Sequence, residues 1–170
     1  MGVTIRKAVL EDAYDYAINH MSCWRDAYTG IIPDEFLDSM QAKQDQRAEQ
    51  NRQSFQNPEG CEYYCVMHGN DMIGRLVFHK CRDNDKPDAG EIGAIYLLAD
   101  YWGKGYGKQM MDFALHELSN AGFREVVTWV LEENKRARRF YENCGFKQDG
   151  AERDLEIGKT LNCIRYVFSL

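Results

Sequence analysis

The sequence predicts an α/β (α+β) fold in which helices cover both faces of a mixed, twisted sheet of about seven strands. Two patterns predict it: an opening strand, helices and hairpin, followed from Gly90 by alternating strands and helices. The third observation is size, because 170 residues with 44% hydrophobic side chains suffice for one compact core. We therefore expect residues 1–170 to form a single domain.

The N-terminal half of this pattern contains a strand, helices and a hairpin. Apolar side chains recur at three- and four-residue spacing through residues 11–28, which is typical of an amphipathic helix. Pro33, followed by two acids, favours the start of a short helix, since proline suits a first turn and acids suit the helix dipole. The turn residues 68–71 predict a hairpin. The other segments are the strand 3–6, the polar helix 41–55 and the hairpin strands 61–66 and 72–79.

The C-terminal half alternates strands with helices and closes with a hairpin. Residues 124–131 are apolar on both faces, so this strand belongs in the centre of the sheet. Glycines end the two helices, Gly122 after residues 106–121 and Gly145 after residues 134–144. The remaining strands are 91–98, 146–157 and 160–168, the last two joined around Gly158.

Charge and hydropathy exclude several classes of partner. Lys and Arg total 21 against 27 for Asp and Glu, a net charge of −6, and the pI is near 5.2. Neutralising phosphates requires a basic face, so we expect no nucleic-acid partner. The mean hydropathy is −0.58, and no apolar run approaches the ~20 residues that a membrane-spanning helix needs. The first residues also lack the apolar core of a secretory signal, and we expect no membrane partner.

The cysteine pattern bears on metals and on the cellular compartment. The six cysteines include no Cys-x-x-Cys pair and no histidine partner at zinc spacing. A domain of this size with an ordinary core seldom depends on disulfides. We therefore expect free thiols, no metal and a cytoplasmic location.

Three glycines at alternate positions, Gly103, Gly105 and Gly107, separate a predicted strand from a predicted helix. Glycine lets the backbone approach an anion closely, and a helix N-terminus offers free N–H groups and a positive dipole end. Lys104 and Lys108 add positive charge, so the stretch indicates a diphosphate site. On the spacing alone, a flexible turn explains it equally well, since it matches neither the dinucleotide fingerprint nor the nucleoside-triphosphate loop.

Residues 102–107 resemble a motif of the GNAT superfamily of N-acetyltransferases, Arg/Gln-x-x-Gly-x-Gly/Ala, although Trp102 departs from the usual first residue. A second GNAT motif, an asparagine, an alanine and then Phe-Tyr-Glu-x-x-Gly-Phe, matches Asn134, Ala137 and residues 140–146. The segment 22–34 is similar to one found in a subset of these enzymes, so the resemblance covers almost the whole chain.

The resemblance implies a GNAT-like fold and an acetyl-CoA-dependent N-acetyltransferase. Such an enzyme moves an acetyl group to a primary amine of a small molecule or peptide by direct attack in a ternary complex. Main-chain groups of residues 95–97 would hold the pantetheine and acetyl group of acetyl-CoA, and the glycine stretch would hold its diphosphate. Asn134 would contact the pantetheine arm, and Tyr141 would approach the thioester sulfur. The implied cofactor-binding residues are Ile95, Tyr96, Leu97, Gly103, Lys104, Gly105, Tyr106, Gly107, Lys108, Asn134 and Tyr141.

Two residues are the candidates for catalysis. Tyr141 can protonate the departing thiolate as general acid, which we favour over a purely aromatic packing role for it. Glu91 is the candidate base, because two-residue alternation places it on the face of Ile95 and Leu97. A solvated carboxylate at the start of a strand is an equally good account of Glu91, and Glu62 is a weaker alternative base.

The resemblance places the acceptor site near the end of the first helix, where Arg25 and Tyr28 are the candidate substrate-binding residues and Trp24 belongs to the core. The net charge of −6 favours a cationic acceptor such as a polyamine, a lysine side chain or a peptide N-terminus. The basic residues of the last helix indicate a solvated face, or a contact to the ribose 3′-phosphate of CoA: Lys135, Arg136, Arg138 and Arg139.

A non-catalytic module that binds or senses acyl-CoA is the alternative function. Such a module would keep the glycines without the tyrosine, and Tyr141 is present. Whether the chain forms a homodimer stays open.

Overall fold

The computed structural model describes residues 2–170, which contain seven strands and five α-helices. The strands are β1 Thr4–Lys7, β2 Glu62–His68, β3 Asp71–Lys80, β4 Gly90–Leu97, β5 Glu125–Leu131, β6 Lys147–Glu156 and β7 Thr160–Ser169. The helices are α1 Ala13–Tyr28, α2 Asp34–Gln41, α3 Gln44–Gln56, α4 Tyr106–Asn120 and α5 Lys135–Asn143. None of the described helices has the length and apolar character to cross a membrane.

All seven strands form one sheet in the order β1-β2-β3-β4-β5-β7-β6. Every neighbouring pair is antiparallel except β4 and β5, which are parallel. The predicted mixed sheet of about seven strands with helices is confirmed. The helix predicted over 41–55 begins later, at Gln44, because α2 continues to Gln41 before the chain turns.

The core lies on both faces of the sheet. On one face, α4 buries a stripe of side chains at helical spacing, Met110, Met111, Ala114 and Leu118, against the central strands. Helices α1 and α3 pack together on the opposite face, where α1 contacts β3. This arrangement leaves β4 in contact with helices on both sides.

The parallel pairing of β4 and β5 is very short. Only Gly90 with Val126 and Glu91 with Val127 are paired, and the Thr128 hydroxyl donates a hydrogen bond to the Ile92 carbonyl at 3.0 Å. Beyond these contacts the two strands diverge, although β4 continues to Leu97. The sheet therefore contains a wedge-shaped gap with its apex at Glu91, and we call it the β4–β5 gap.

A buried ion-pair cluster ties the two halves of the sheet together beside this gap. Arg165 on β7, with a side chain only 5% exposed, bonds to Asp83 at 3.0 Å and to Asp85 at 2.8 Å in the β3–β4 loop. It also donates to Asp149 at 2.9 Å, and Trp129 on β5 donates to Asp83 at 3.0 Å. The loop from the N-terminal half is thus fixed to strands of the C-terminal half.

We expect Arg165→Gln to lower the free energy of unfolding by about 3 kcal/mol at pH 7, because it leaves the largely buried carboxylates of Asp83 and Asp149 without this cation. The matched control is Arg153→Gln, whose side chain is 47% exposed and 3.8 Å from Asp83, and which should cost about 1 kcal/mol or less. Urea denaturation measures both, and equal losses in the two variants would contradict the structural role given to Arg165.

The cost of Arg165→Gln should also depend on pH. Burial raises the pKa of Asp149, but hydrogen bonds from Arg165 and the Ala151 amide more than offset this and lower it. A depressed carboxyl pKa stabilises the fold above the unfolded value of about 3.9 and loses that contribution as the pH falls through the folded value. The difference between wild type and Arg165→Gln should therefore shrink below pH ~4, as urea denaturation across that range would measure.

Candidate active site

The centre of the candidate site is the edge of β4 that faces the β4–β5 gap. A β-bulge interrupts this strand: Phe78 pairs with Ile92 and Val77 with Ala94, so Gly93 is an extra residue. Past Glu91, no described strand pairs with this edge. Main-chain N–H and C=O groups on the edge are therefore available to a ligand that enters the gap.

The bulge changes which face Glu91 occupies. Ile92 and Ile95, three residues apart, both pack into the core beneath α4, and Ile95 and Leu97 lie beside Met110. Glu91 therefore faces the other side of the sheet. The expectation that it shares a face with Ile95 and Leu97 is wrong, because an inserted residue reverses two-residue alternation.

The second account of Glu91, a solvated carboxylate, does not hold either. Glu91 is only 9% exposed, at the apex of the β4–β5 gap. The amide of Arg82 lies 3.5 Å from its carboxylate, and His79 is its partner on β3. Glu62, the weaker candidate, pairs instead with Lys7 at 2.7 Å at the far edge of the sheet.

The glycine stretch forms the turn into α4. Gly103 and Gly105 have φ of 71° and 82°, a left-handed backbone that favours glycine, and Gly105 is the residue that precedes the first helical turn. A Cβ added at either would have no heavy atom within 4 Å, so both face open space. At Gly107 a Cβ would lie 3.2 Å from Phe140, so this glycine allows α4 and α5 to approach closely.

The cationic side chains around the glycine turn each have a partner within the protein. Lys108 forms an ion pair with Asp112 on the next turn of α4, and Lys104 lies over the Tyr101 ring. Trp102 donates from Nε1 to the Leu97 carbonyl at 2.7 Å. The guanidinium of Arg136 on α5 lies 3.1 Å from the centre of the Trp102 ring.

Trp102 therefore fastens the glycine turn to the end of β4 and holds a cation from α5 against it. From the sequence, Trp102 was only a departure from a motif, and the basic residues around Arg136 indicated a solvated face or a contact to the ribose 3′-phosphate of CoA. A tryptophan beside a glycine turn and an arginine two residues after Asn134 are the signals that could have indicated the contact.

Tyr141 lies at the end of α5 and is 7% exposed. Its ring contacts Phe140, Phe146 and Tyr166, which accounts for the packing role. Burial raises the pKa of Tyr141 well above its usual value, and the Thr128 hydroxyl lowers it in part. The phenol is therefore protonated at neutral pH. Because Thr128 also donates to the Ile92 carbonyl at the apex, Tyr141 lies close to the β4–β5 gap.

Comparison with known proteins decides the family. A family model described as the acetyltransferase (GNAT) family matches residues 14–146. The chain belongs to the GNAT family of acetyltransferases. It is 30% identical over 132 residues to YuaI, an uncharacterized N-acetyltransferase of Bacillus subtilis, covering 78% of this chain and 73% of that protein. The chain is thus an acyltransferase enzyme.

Solved GNAT structures share the fold. The PaiA N-acetyltransferase from Thermoplasma acidophilum, solved in complex with coenzyme A, has a TM-score of 0.76 and 21% identity, covering 100% of both chains. YncA from Salmonella typhimurium, solved with acetyl-CoA, has a TM-score of 0.67 and 16% identity, covering 100% of this chain and 95% of that one. At these identities the likeness shows the fold alone.

Of three other predicted site residues of this GNAT chain, two lie at the candidate site and one lies outside it. The Asn134 side chain accepts a hydrogen bond from the Ala137 amide at 3.1 Å, which caps α5. The Tyr28 and Tyr96 hydroxyls are 2.8 Å apart, so Tyr28 contacts β4. Arg25 instead forms an exposed ion pair with Asp38 on α2 at 2.7 Å, which directs it away from β4. The structure brings Tyr28 to the candidate site and leaves Arg25 outside it.

Two buried polar residues on the α1 side of the sheet, His20 on α1 and Arg75 on β3, were not predicted as site residues. His20 is 5% exposed and Arg75 is 9% exposed. Neither ring nitrogen of His20 has a hydrogen-bond partner among the described residues. Burial first, then Arg75 and Arg47, lower the pKa of His20 to about 2. The only sequence signal was an arginine at a central position of the apolar strand 72–79.

We expect the His20 imidazole to stay neutral down to at least pH 4.5, since its pKa is depressed to about 2. In NMR spectra its ring C–H resonances, assigned by comparison with His20→Phe, should not titrate between pH 8 and 4.5. A titration midpoint above pH 5 would contradict the lowering of the His20 pKa by burial and by the nearby arginines.

Proposed function

We propose that the protein is an acetyl-CoA-dependent N-acetyltransferase that moves an acetyl group to a primary amine by direct attack in a ternary complex. The observation that carries this proposal is the juxtaposition of the unpaired β4 edge, the left-handed glycine turn before α4 and the buried phenol of Tyr141. The family membership supports acetyl transfer, and the arrangement supplies a role for each part of acetyl-CoA.

The proposed binding mode starts from the main chain. The main-chain N–H groups of residues 103–108, at the start of the 15-residue helix α4, would hold the diphosphate with the help of the helix dipole. The pantetheine arm would lie in the β4–β5 gap against main-chain groups of Ile95, Tyr96 and Leu97, much as an added strand pairs with a sheet edge. The amide nitrogen of Asn134 would contact the same arm from α5.

The proposed chemistry follows from these positions. A neutral amine attacks the thioester carbonyl, and an N–H group of β4 near the bulge stabilises the oxyanion that develops. Tyr141 then donates its proton to the departing thiolate. The attacking nitrogen releases a proton as the amide forms, and Tyr141 regains its proton from solvent. The phenol is protonated at neutral pH, as a general acid must be.

The acceptor must lose a proton before it attacks, because an ammonium has a pKa of about 10. We assign the proton to Glu91, directly or through a water relay. Its buried position at the apex of the β4–β5 gap supports this role, because the thioester would lie in the same gap.

A screen of amines tests the proposed function directly. Release of free CoA thiol would be followed with acetyl-CoA and a library of polyamines, amino acids, amino sugars and peptides, and the acetylated product identified by mass. At least one amine should be acetylated at a rate well above hydrolysis. Tight binding of acetyl-CoA without turnover of any amine would favour the non-catalytic acyl-CoA-binding alternative.

For Tyr141→Phe we expect kcat to fall by about 10²-fold, the lower end for general acid catalysis, because CoA is itself a fair leaving group. The affinity for acetyl-CoA should change little, since the ring remains. Tyr64→Phe is the matched control, because Tyr64 is a 5% exposed tyrosine of the same core that lies away from the gap. Turnover of Tyr141→Phe at the wild-type level would assign the ring to packing alone.

For Gly105→Asn we expect a loss of at least tenfold in acetyl-CoA affinity, because the new side chain occupies the space before α4. Gly122→Asn is the matched control: its φ is 92°, it also faces open space, and it lies beyond the other end of α4. Asparagine tolerates the left-handed backbone, so both variants should fold. Calorimetric affinities that fall equally in both, or in neither, would contradict the diphosphate site.

A further inference from the structure

A cleft of about 710 Å³ lies between helices α1 and α3 and strands β2 to β4. It opens on the face of the sheet opposite α4. Its lining includes Gly93 and Ala94, the β4 residues next to the apex of the β4–β5 gap. An amine that attacks a thioester held in the gap can therefore approach from this cleft.

The cleft is strongly positive. Arg47, Arg75 and Arg82 line it, against one carboxylate, that of Glu59. Among residues 2–170, none of these arginines forms an ion pair within 4.0 Å. The side chain of Arg82 bonds only to the Cys61 sulfur, at 3.5 Å. The local charge is thus opposite in sign to the net charge of −6.

Arg75 is the most buried of the three arginines, with 9% of its surface exposed. Its guanidinium is held between two aromatic rings, 5.1 Å from the centre of Tyr16 and 5.5 Å from that of Tyr96. Its Nε and both ring nitrogens of the adjacent His20 are buried without a hydrogen-bond partner in the described part of the chain. The rings offset only part of the cost of burying a guanidinium, which ordinarily requires an anionic partner.

We propose that this cleft binds the amine acceptor, and that the acceptor carries an oxyanion group, a carboxylate or a phosphate, which pairs with Arg75. This inference rests on the proposed function and names its class of substrate. The planar guanidinium of Arg75 binds such a group through paired hydrogen bonds, and the two aromatic rings fix its orientation. Arg47 and Arg82, nearer the mouth, attract the acceptor, and neutral His20 offers a further hydrogen bond.

The strand register indicates the size of the acceptor. Arg75 pairs with Tyr96 and Val77 pairs with Ala94, so the backbone of Arg75 and that of the gap-facing part of the cleft are two residues apart, about 7 Å along the strand. An acceptor whose amine and acid group are several bonds apart spans such a distance. Phosphorylated amino sugars and amino acids with a side-chain amine meet this requirement, whereas a polyamine has no group to pair with Arg75.

The test compares acceptors that differ only in the acid group. Amino acids would be assayed beside their carboxamides, and hexosamine 6-phosphates beside the free hexosamines, which separates the two sources of the oxyanion. Wild type should acetylate members of one acidic series with kcat/KM at least tenfold above the neutral analogues. Arg75→Met should raise KM for the acidic acceptor by about tenfold to a hundredfold, and should narrow the difference in kcat/KM between each acidic acceptor and its neutral analogue.

Two further variants make the test specific. Arg52→Met removes an equivalent charge from α3, where Arg52 pairs with Glu49 and does not line the cleft, and should leave every constant unchanged. Arg47→Met, at the half-buried mouth, should give a smaller rise in KM. It keeps the inference testable if the buried Arg75→Met is unstable.

Equal activity on acidic and neutral acceptors, or an unchanged KM in both Arg75→Met and Arg47→Met, would overturn the inference while acetyl transfer itself stands. If no amine is acetylated, the inference is tested by binding instead. Calorimetry would then compare how tightly N-acetylated acids and their amides bind in the presence of CoA. Binding that depends on the acid group and on Arg75 would support the cleft although the proposed function fails. Binding that ignores the acid group, or no binding, would overturn it.

Discussion

The early end of pairing between β4 and β5 is the constraint on which the rest of this structure depends. In the described chain, the two strands are joined by two residue pairs, Gly90 with Val126 and Glu91 with Val127, and by the hydrogen bond from the Thr128 hydroxyl to the Ile92 carbonyl. Their separation leaves polar groups of β4 unpaired in the middle of a sheet, where such groups are normally satisfied. The glycine turn, Tyr141 and the arginine-lined cleft all border this one gap.

A sheet that opens at its centre needs another connection between its halves. Here the β3–β4 loop crosses to the C-terminal strands, and Arg165 holds it through Asp83 and Asp85. Within the C-terminal half, Asp149 on β6 also pairs with Arg165, and all seven residues of β5 pair with β7. Together these contacts fix the gap in its open form, so a ligand meets a preorganised site instead of having to create one.

Most of the fold and part of the candidate site could be predicted from the sequence. The strands, the α4 start and the aromatic end of α5 follow from periodicity and glycines, because these signals act over a few neighbouring residues. The predicted face of Glu91 was wrong because the β-bulge depends on how β4 pairs with β3, and no local pattern in the β4 sequence reveals that pairing. Arg75 and His20 were not predicted for a related reason. Their polar groups become buried without partners only when α1 packs on β3, and the sequence does not show that packing.

The gap also explains how the protein tolerates an exposed strand edge. Unpaired edges ordinarily recruit strands of other molecules and lead to aggregation. A foreign strand needs about 4.8 Å on each of its sides, so it fits only where two strands are about 10 Å apart. The β4–β5 gap narrows to ordinary strand spacing at Glu91 and is backed by α4. Its tapered shape therefore excludes another polypeptide strand from the apex and admits a thinner, flexible chain.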